Sequence, residues 1–410
     1  MILKKFLSLM LVVVLAMSML VGCGNNAVET TEDAVETTAD AVATSDIKVG
    51  VIYVGDENEG YTEAHMKGID QMMETLGLTS DQVIEQTTIP EDESCYDAAV
   101  DLAEQGCDII FANSFGHESY LMQAAVEFPE VQFCHATGYQ AAASDLDNFH
   151  NYFTAVYESR YVSGVVAGLK LKEMIDNGEI TAAEAKMGYV GAFPYAEVVS
   201  GFTSFFLGAK SIVPEVTMEV QYTNSWADMA TENEVAKALI ANGAVLISQH
   251  ADTTGAPTAC EEKGVFVVGY NVDMTSVAPN TALTSATINW GPYYTYAVEA
   301  AINGSEIATD WCQGYVDGAV AIAPLNDAAI AEGTTDVVAD IEGQLKAGTL
   351  HVFDTATFTI GGSSIEELIA EGGDFAKFEA YVSDGYFHES EVQSAPAFEL
   401  RIDGITELTN

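Results

Sequence analysis

The sequence predicts an α/β protein built from two doubly wound parallel units in tandem, with a cleft between them. Three observations lead there. Apolar, β-rich runs alternate with helical patterns almost without a break from Ile47 onward, and the alternation restarts after a long helical stretch ending near Ile175. The opening run of the first series, Val49-Gly50-Val51-Ile52-Tyr53-Val54-Gly55, is echoed by Met187-Gly188-Tyr189-Val190-Gly191 at the start of the second.

Before the first strand, Met1-Ile2-Leu3-Lys4-Lys5 leads into an apolar stretch ending at Leu20-Val21-Gly22-Cys23. Two lysines, a short apolar core and small residues ahead of a cysteine match a lipoprotein signal over residues 1–22, with Cys23 as the lipid-bearing N-terminus. The run is shorter than the roughly 20 residues a spanning helix needs. Residues 23–45 are rich in Ala, Thr, Val, Glu and Asp and contain no aromatic side chain, so they predict a disordered tether that buries too little apolar surface to fold. The remaining residues exceed what one core usually serves, which predicts two lobes.

Strands are expected at Ile47 to Val54, Val83 to Thr88, Asp108 to Ala112 and Gln132 to Ala136, and the segment Phe149 to Phe153 follows them ahead of a long helix. Helices separate them at Tyr61 to Leu76, Cys95 to Gln105 and His117 to Glu127, and a longer one runs from Tyr157 to Ile175. The second series places strands at Met187 to Val190, Met218 to Tyr222, Val245 to Ser248 and Val265 to Gly269, around helices at Glu197 to Ser211, Asp228 to Asn242 and Thr254 to Lys263. In the segment from Thr355 to Asn410, Gly361-Gly362-Ser363-Ser364 marks a loop and Phe398 to Ile402 a late strand.

The formal net charge is −48 with 14 basic residues, and removing Lys4 and Lys5 with the signal takes it to −50. Such a surface repels polyanions, which excludes nucleic acid as a partner. Beyond Cys23 the cysteines are Cys95, Cys107, Cys134, Cys260 and Cys312, an odd number without metal or redox spacing, and they predict buried thiols. There is no phosphate-binding glycine loop, so transport by this chain requires partners to power it.

In open parallel sheets ligands bind beyond the carboxyl ends of the strands, which singles out loops 55–62, 113–118, 192–197, 223–228, 249–255 and 270–274. These loops hold Tyr61 and Thr62, Phe115, Trp226, His250 and Asp252, and Asn271 and Asp273. Rings supply stacking area and the polar groups supply orientation, a combination suited to a flat, uncharged ligand. The run Asp56, Glu57, Glu59 lacks the alternation of a calcium loop and is read as a solvated loop. His250 and Asp252 have neither a nucleophile nor a third metal ligand beside them. Arg160 is expected in a structural ion pair.

Six stretches in order resemble the basic membrane protein family of solute-binding lipoproteins, the receptors of ABC importers for purine nucleosides. They are Gly60-Tyr61-Thr62-Glu63-Ala64-His65, Gly188-Tyr189-Val190-Gly191-Ala192-Phe193-Pro194, Asn224-Ser225-Trp226, Gln249-His250-Ala251-Asp252, Gly269-Tyr270-Asn271-Val272-Asp273 and Asn289-Trp290-Gly291-Pro292. Phe115-Gly116 and His135-Ala136-Thr137-Gly138-Tyr139 add to the likeness. The resemblance implies a type 1 periplasmic-binding-protein fold with two Rossmann-like lobes, the first from residues 46–155 and 286–318, the second from 156–285 and 319–410. It implies a monomer, no cofactor and no catalysis, with ABC permease and ATPase subunits as partners and a position on the extracytoplasmic face of the membrane, lipid-anchored through Cys23. Two aromatics sandwich the purine in such receptors, and Tyr61 and Trp226 align with them. Asn271 stands where an Asp often contacts ribose and Ile288 where a basic residue precedes Asn289, so a free base such as adenine competes with a nucleoside. The implied contact set is Tyr61, Thr62, Phe115, Trp226, His250, Asp252, Asn271, Asp273, Asn289 and Trp290. Two alternatives use the same surroundings: a ligand-sensing receptor lipoprotein, and a nucleoside hydrolase, which needs aspartates and calcium after its first strand where this chain has Asp56-Glu57-Asn58-Glu59-Gly60.

Overall fold

A computed structural model of the chain describes residue 44 and residues 46–408; the signal, Cys23 and nearly all of the expected tether lie outside the described residues. Strand β1 (Val49–Ile52) is buried along its whole length, as is β3 (Ile109–Ala112), because helices cover both faces of the sheet they share. The first lobe adds α1 (Gly60–Leu76), β2 (Val83–Gln86), α2 (Glu93–Glu104), α3 (Glu118–Glu127), β4 (Gln132–Ala136) and β5 (Phe149–Thr154). Local chemistry places the helix ends: the Asp92 carboxylate accepts the Ser94 N–H at the start of α2, and Gly77 ends α1 at φ +69°, donating its N–H to the Met73 carbonyl.

The second lobe runs through α4 (Val156–Asp176), β6 (Lys186–Gly191), α5 (Ala196–Ile212), β7 (Thr217–Tyr222), α6 (Met229–Ala241), β8 (Leu246–Gln249), α7 (Gly255–Lys263), β9 (Phe266–Asn271) and β10 (Ala282–Ile288). The chain then returns to the first lobe for α8 (Gly291–Asn303) and β11 (Asp310–Gln313), and crosses back for β12 (Val320–Ile322) and α9 (Thr334–Lys346). Strand β10 stays in the second sheet to Ile288, so the return comes after that residue and not at 286.

The first sheet has the order β11-β5-β4-β3-β1-β2 and is parallel throughout. After α10 (Ile365–Glu371) and the small antiparallel pair β13 (Val382–Ser383) and β14 (Tyr386–Phe387), β15 (Ile405–Glu407) completes the second sheet, β12-β10-β9-β8-β6-β7-β15, in which only β12 runs antiparallel. In each sheet the order reverses beside the lobe's first strand, between β1 and β3 and between β6 and β8. These switch points are where loops of opposite winding diverge and leave a crevice.

Three connections join the lobes, and they are tied together. The Ala155 N–H donates to the Gln313 carbonyl at 2.9 Å, the Asn289 N–H to the Ala319 carbonyl at 2.8 Å, and Glu158 accepts the Tyr315 N–H at 2.7 Å. Helices α4 and α5 approach closely through two glycines: a Cβ on Gly164 would sit 2.1 Å from the Phe205 carbonyl oxygen, and one on Gly208 2.3 Å from that of Tyr161. Residues 346–408 cover the second lobe, with Phe353, Phe398, Leu400 and Ile402 in its core. The alternation at 398, 400 and 402 buries these side chains, yet the expected strand does not form. The open edge of β7 is taken instead by β15, a few residues later. Among the described residues no helix is long and apolar enough to cross a membrane, and the five cysteines there are free thiols.

Candidate functional site

Both switch points open onto one cavity of about 530 Å³, within the range of small-molecule sites. Five of the residues singled out from the sequence line it: Tyr61 and Phe115 from the first lobe, and Trp226, His250 and Asp252 from the second. A backbone hydrogen bond crosses beside it, the Gly60 N–H donating to the Asp252 carbonyl at 3.0 Å.

Each ring is held from behind. The Tyr61 hydroxyl donates to the Asn113 carbonyl at 2.6 Å, and its ring meets His65 edge-on at 4.5 Å and Trp290 at 6.1 Å. Trp226 packs edge-on against Phe193 at 5.4 Å, and its carbonyl accepts the Asp252 N–H at 2.8 Å, which ties the loop after β7 to the loop after β8. Phe193 stacks on Tyr195 at 5.1 Å, and Tyr195 faces Phe115 of the other lobe at 6.0 Å. Phe115, which lines the cavity, and Tyr195 beside it are each nearly half exposed.

Polar groups form a linked set beneath the rings. His250 Nε2 lies 3.3 Å from a Glu197 carboxylate oxygen and Nδ1 lies 3.2 Å from the Tyr189 hydroxyl. Burial, reinforced by the nearby Arg160 guanidinium, pushes the His250 pKa down to about 4, so the neutral ring donates through Nε2 and accepts at Nδ1. Asp252 is buried and accepts the Asn271 side-chain N–H at 2.7 Å. Burial raises its carboxyl well above the usual range, with Glu59, Glu232 and Glu197 adding repulsion. Glu59 is raised in the same way by burial, against the Thr62 hydroxyl that donates to it.

Thr62 and Asn271 therefore stand behind the cavity, orienting Glu59 and Asp252, and do not line it. Asn271 adopts φ +64°, which places its amide under Asp252. Asp273 is exposed and accepts the Thr275 N–H, while Asn289 bonds the Gly318 carbonyl and the Gly291 N–H at the crossover. Trp290 is fully buried and stacks on His65 at 4.1 Å. None of these three lines the cavity. Glu59, Glu91, Phe193, Glu197 and Tyr270 do line it; the sequence pointed to the loops of Phe193, Glu197 and Tyr270, read Glu59 as solvated, and gave no sign of Glu91. Arg160 has no carboxylate partner among the described residues; it donates to the Gln249 carbonyl at 2.6 Å and lies 3.6 Å over the Tyr270 ring. No trio of His, Cys, Asp or Glu is grouped to hold a metal among the described residues.

Comparison with known proteins agrees with this arrangement. The family model described as ABC transporter substrate-binding protein PnrA-like, Bmp, matches residues 46–345. A purine-binding protein of Brucella abortus is 33% identical over 308 residues, spanning 75% of this chain and 83% of that protein. A putative ABC transporter glucose-binding protein of Haloferax volcanii is 29% identical over 330 residues, spanning 80% and 78%. Among solved structures, an ABC solute-binding protein from Aeropyrum pernix superposes with a TM-score of 0.62 at 16% identity, over 75% of this chain and 93% of that one, which supports the type 1 periplasmic-binding-protein fold. The chain belongs to the Bmp family of PnrA-like ABC transporter substrate-binding proteins.

Proposed function

We propose that this protein captures a purine base or purine nucleoside outside the membrane and presents it to an ABC permease driven by its ATPase, closing its two lobes on the ligand. The observation that carries this reading is that Tyr61 and Trp226, supplied by opposite lobes, line one cavity together with His250 and Asp252. Rings from both lobes can enclose a flat heterocycle only when the lobes meet, which couples binding to closure. The Brucella abortus relative, named as a purine-binding protein, favours the same ligand class. Mass spectrometry of ligand released from the purified protein, followed by calorimetry with adenine, guanine, hypoxanthine and their nucleosides, tests it. A panel in which only sugars bind overturns the assignment.

Anchoring belongs to the same reading: a lipid on Cys23 holds a monomer, through residues 24–45, at the extracytoplasmic face. The Cys23→Ala variant is expected to be released or to accumulate unprocessed while its folded domain still binds ligand. Fractionation that finds it processed and membrane-bound contradicts the anchor.

A further inference from the structure

We propose that the cavity selects its ligand by charge: it accepts a flat heteroaromatic molecule whose polar edges carry N–H, amino or cationic groups, and rejects close analogues bearing an anionic group. The inference rests on the purine reading for the ligand's scaffold, and its charge logic stands apart from that reading.

Carboxylates reach the cavity from both sides. Asp56, Glu59 and Glu91 line it from the first lobe, and Glu197 and Asp252 from the second. Among the described residues no lysine or arginine lines it. Arg160 does not line it; it is fully buried against the Tyr270 ring and has one guanidinium nitrogen committed to the Gln249 carbonyl. Glu232, buried behind Thr253, places a further carboxyl on that side. The imidazole that might have balanced them is neutral, and its Nε2 donates to Glu197.

The wall is therefore rich in acids and, among the described residues, has no lysine or arginine of its own. An anionic group entering it would lose its water and find no cation to replace it, leaving a buried charge unpaired. A ligand N–H or ammonium group replaces that lost water with charge-assisted hydrogen bonds. A second observation points to a ligand independently of the acids. Tyr270 lines the cavity, and its buried hydroxyl has no hydrogen-bond partner among the described residues. It is a donor waiting for an acceptor such as a ring nitrogen, which is what an otherwise donor-rich heterocycle offers. Specificity of this kind comes from unsatisfied pairs formed with the wrong ligand.

Calorimetry on the ligand-free protein at neutral pH separates the possibilities. Adenine is compared with urate, adenosine with AMP, and AMP with 5′-amino-5′-deoxyadenosine, which puts a positive group on the same ribose carbon. Thiamine serves as a cationic heteroaromatic that is not a purine. We expect urate and AMP to bind at least a hundred-fold more weakly than adenine and adenosine, and the amino analogue to bind at least as tightly as adenosine. The Glu197→Gln variant, with its fold checked by melting, should narrow the gap between adenosine and AMP by about ten-fold. AMP or urate binding within ten-fold of its neutral counterpart overturns charge selection and leaves the purine reading standing. Thiamine binding with no purine binding keeps charge selection and removes the purine reading. If anions bind best, both fall.

Discussion

Trp226 and Tyr61 have different kinds of support, and that decides what their removal should do. Trp226 is partly buried, packs on Phe193 and Tyr195, and stays beside solvent, so truncating it leaves no large internal void. Stacking on a base contributes about 1–3 kcal/mol, so Trp226→Ala should weaken purine binding roughly ten-fold to a hundred-fold with little change in melting temperature. Trp226→Phe should be milder, and calorimetry with thermal melting checks both. The strand-end position of Trp226, His250 and Asp252 made them legible in the sequence. Glu59 was not, because a run of acids at a loop reads as solvated until a second lobe is folded against it. Thr62 and Asn271 were noticed for the right neighbourhood, but they act through Glu59 and Asp252. Arg160 was read as half of an ion pair; that it rests instead on an aromatic face depends on Tyr270, more than a hundred residues away.

At the scale of elements, the strongly apolar strands and amphipathic helices could be read directly, while β10 could not. Its sequence, ALTSATI, is small and polar, yet six of its seven residues are buried because the strand is inserted between β9 and β12, where Thr284 donates to the Ala323 carbonyl. Residues 346–408 were unreadable for a related reason: their aromatics pack on a surface prepared by α4 and α5. Two glycines test the helix packing. Gly164→Ala forces α4 from α5 and should cost about 1–3 kcal/mol or more in denaturant unfolding, whereas Gly343→Ala in α9, with open space around its Cβ, should stabilise by about 0.5–1 kcal/mol. The buried Glu389 in the C-terminal segment provides a pH test. Its carboxylate accepts the Ala397 and Phe398 N–H groups, and burial raises its pKa from 4.5 to about 7. A raised folded-state value means the native chain holds the proton more tightly. Its contribution is therefore complete below about pH 4.5 and is lost as pH rises through 7, a change on the order of 3 kcal/mol. Glu389→Gln cannot ionise, so its melting temperature relative to the unsubstituted protein should rise across that window. A constant difference would show that Glu389 does not titrate there.

The whole molecule is two similar sheets whose switch points face one cavity, joined by three connections bonded to one another at 155, 289 and 315. In the closure proposed above, that bundle serves as the hinge about which the cavity, lined from both sides, shuts on its ligand. Acids line it from both sides, so the closure and the charge selection proposed above would both follow from one arrangement. The most direct test is small-angle X-ray scattering of the ligand-stripped protein with and without saturating adenine or adenosine, with Trp226→Ala alongside. Closure on a purine predicts that the radius of gyration falls on ligand addition, and that the variant needs ten-fold to a hundred-fold more ligand to reach the same compact form. A radius unchanged by a purine that calorimetry shows to bind tightly would contradict it.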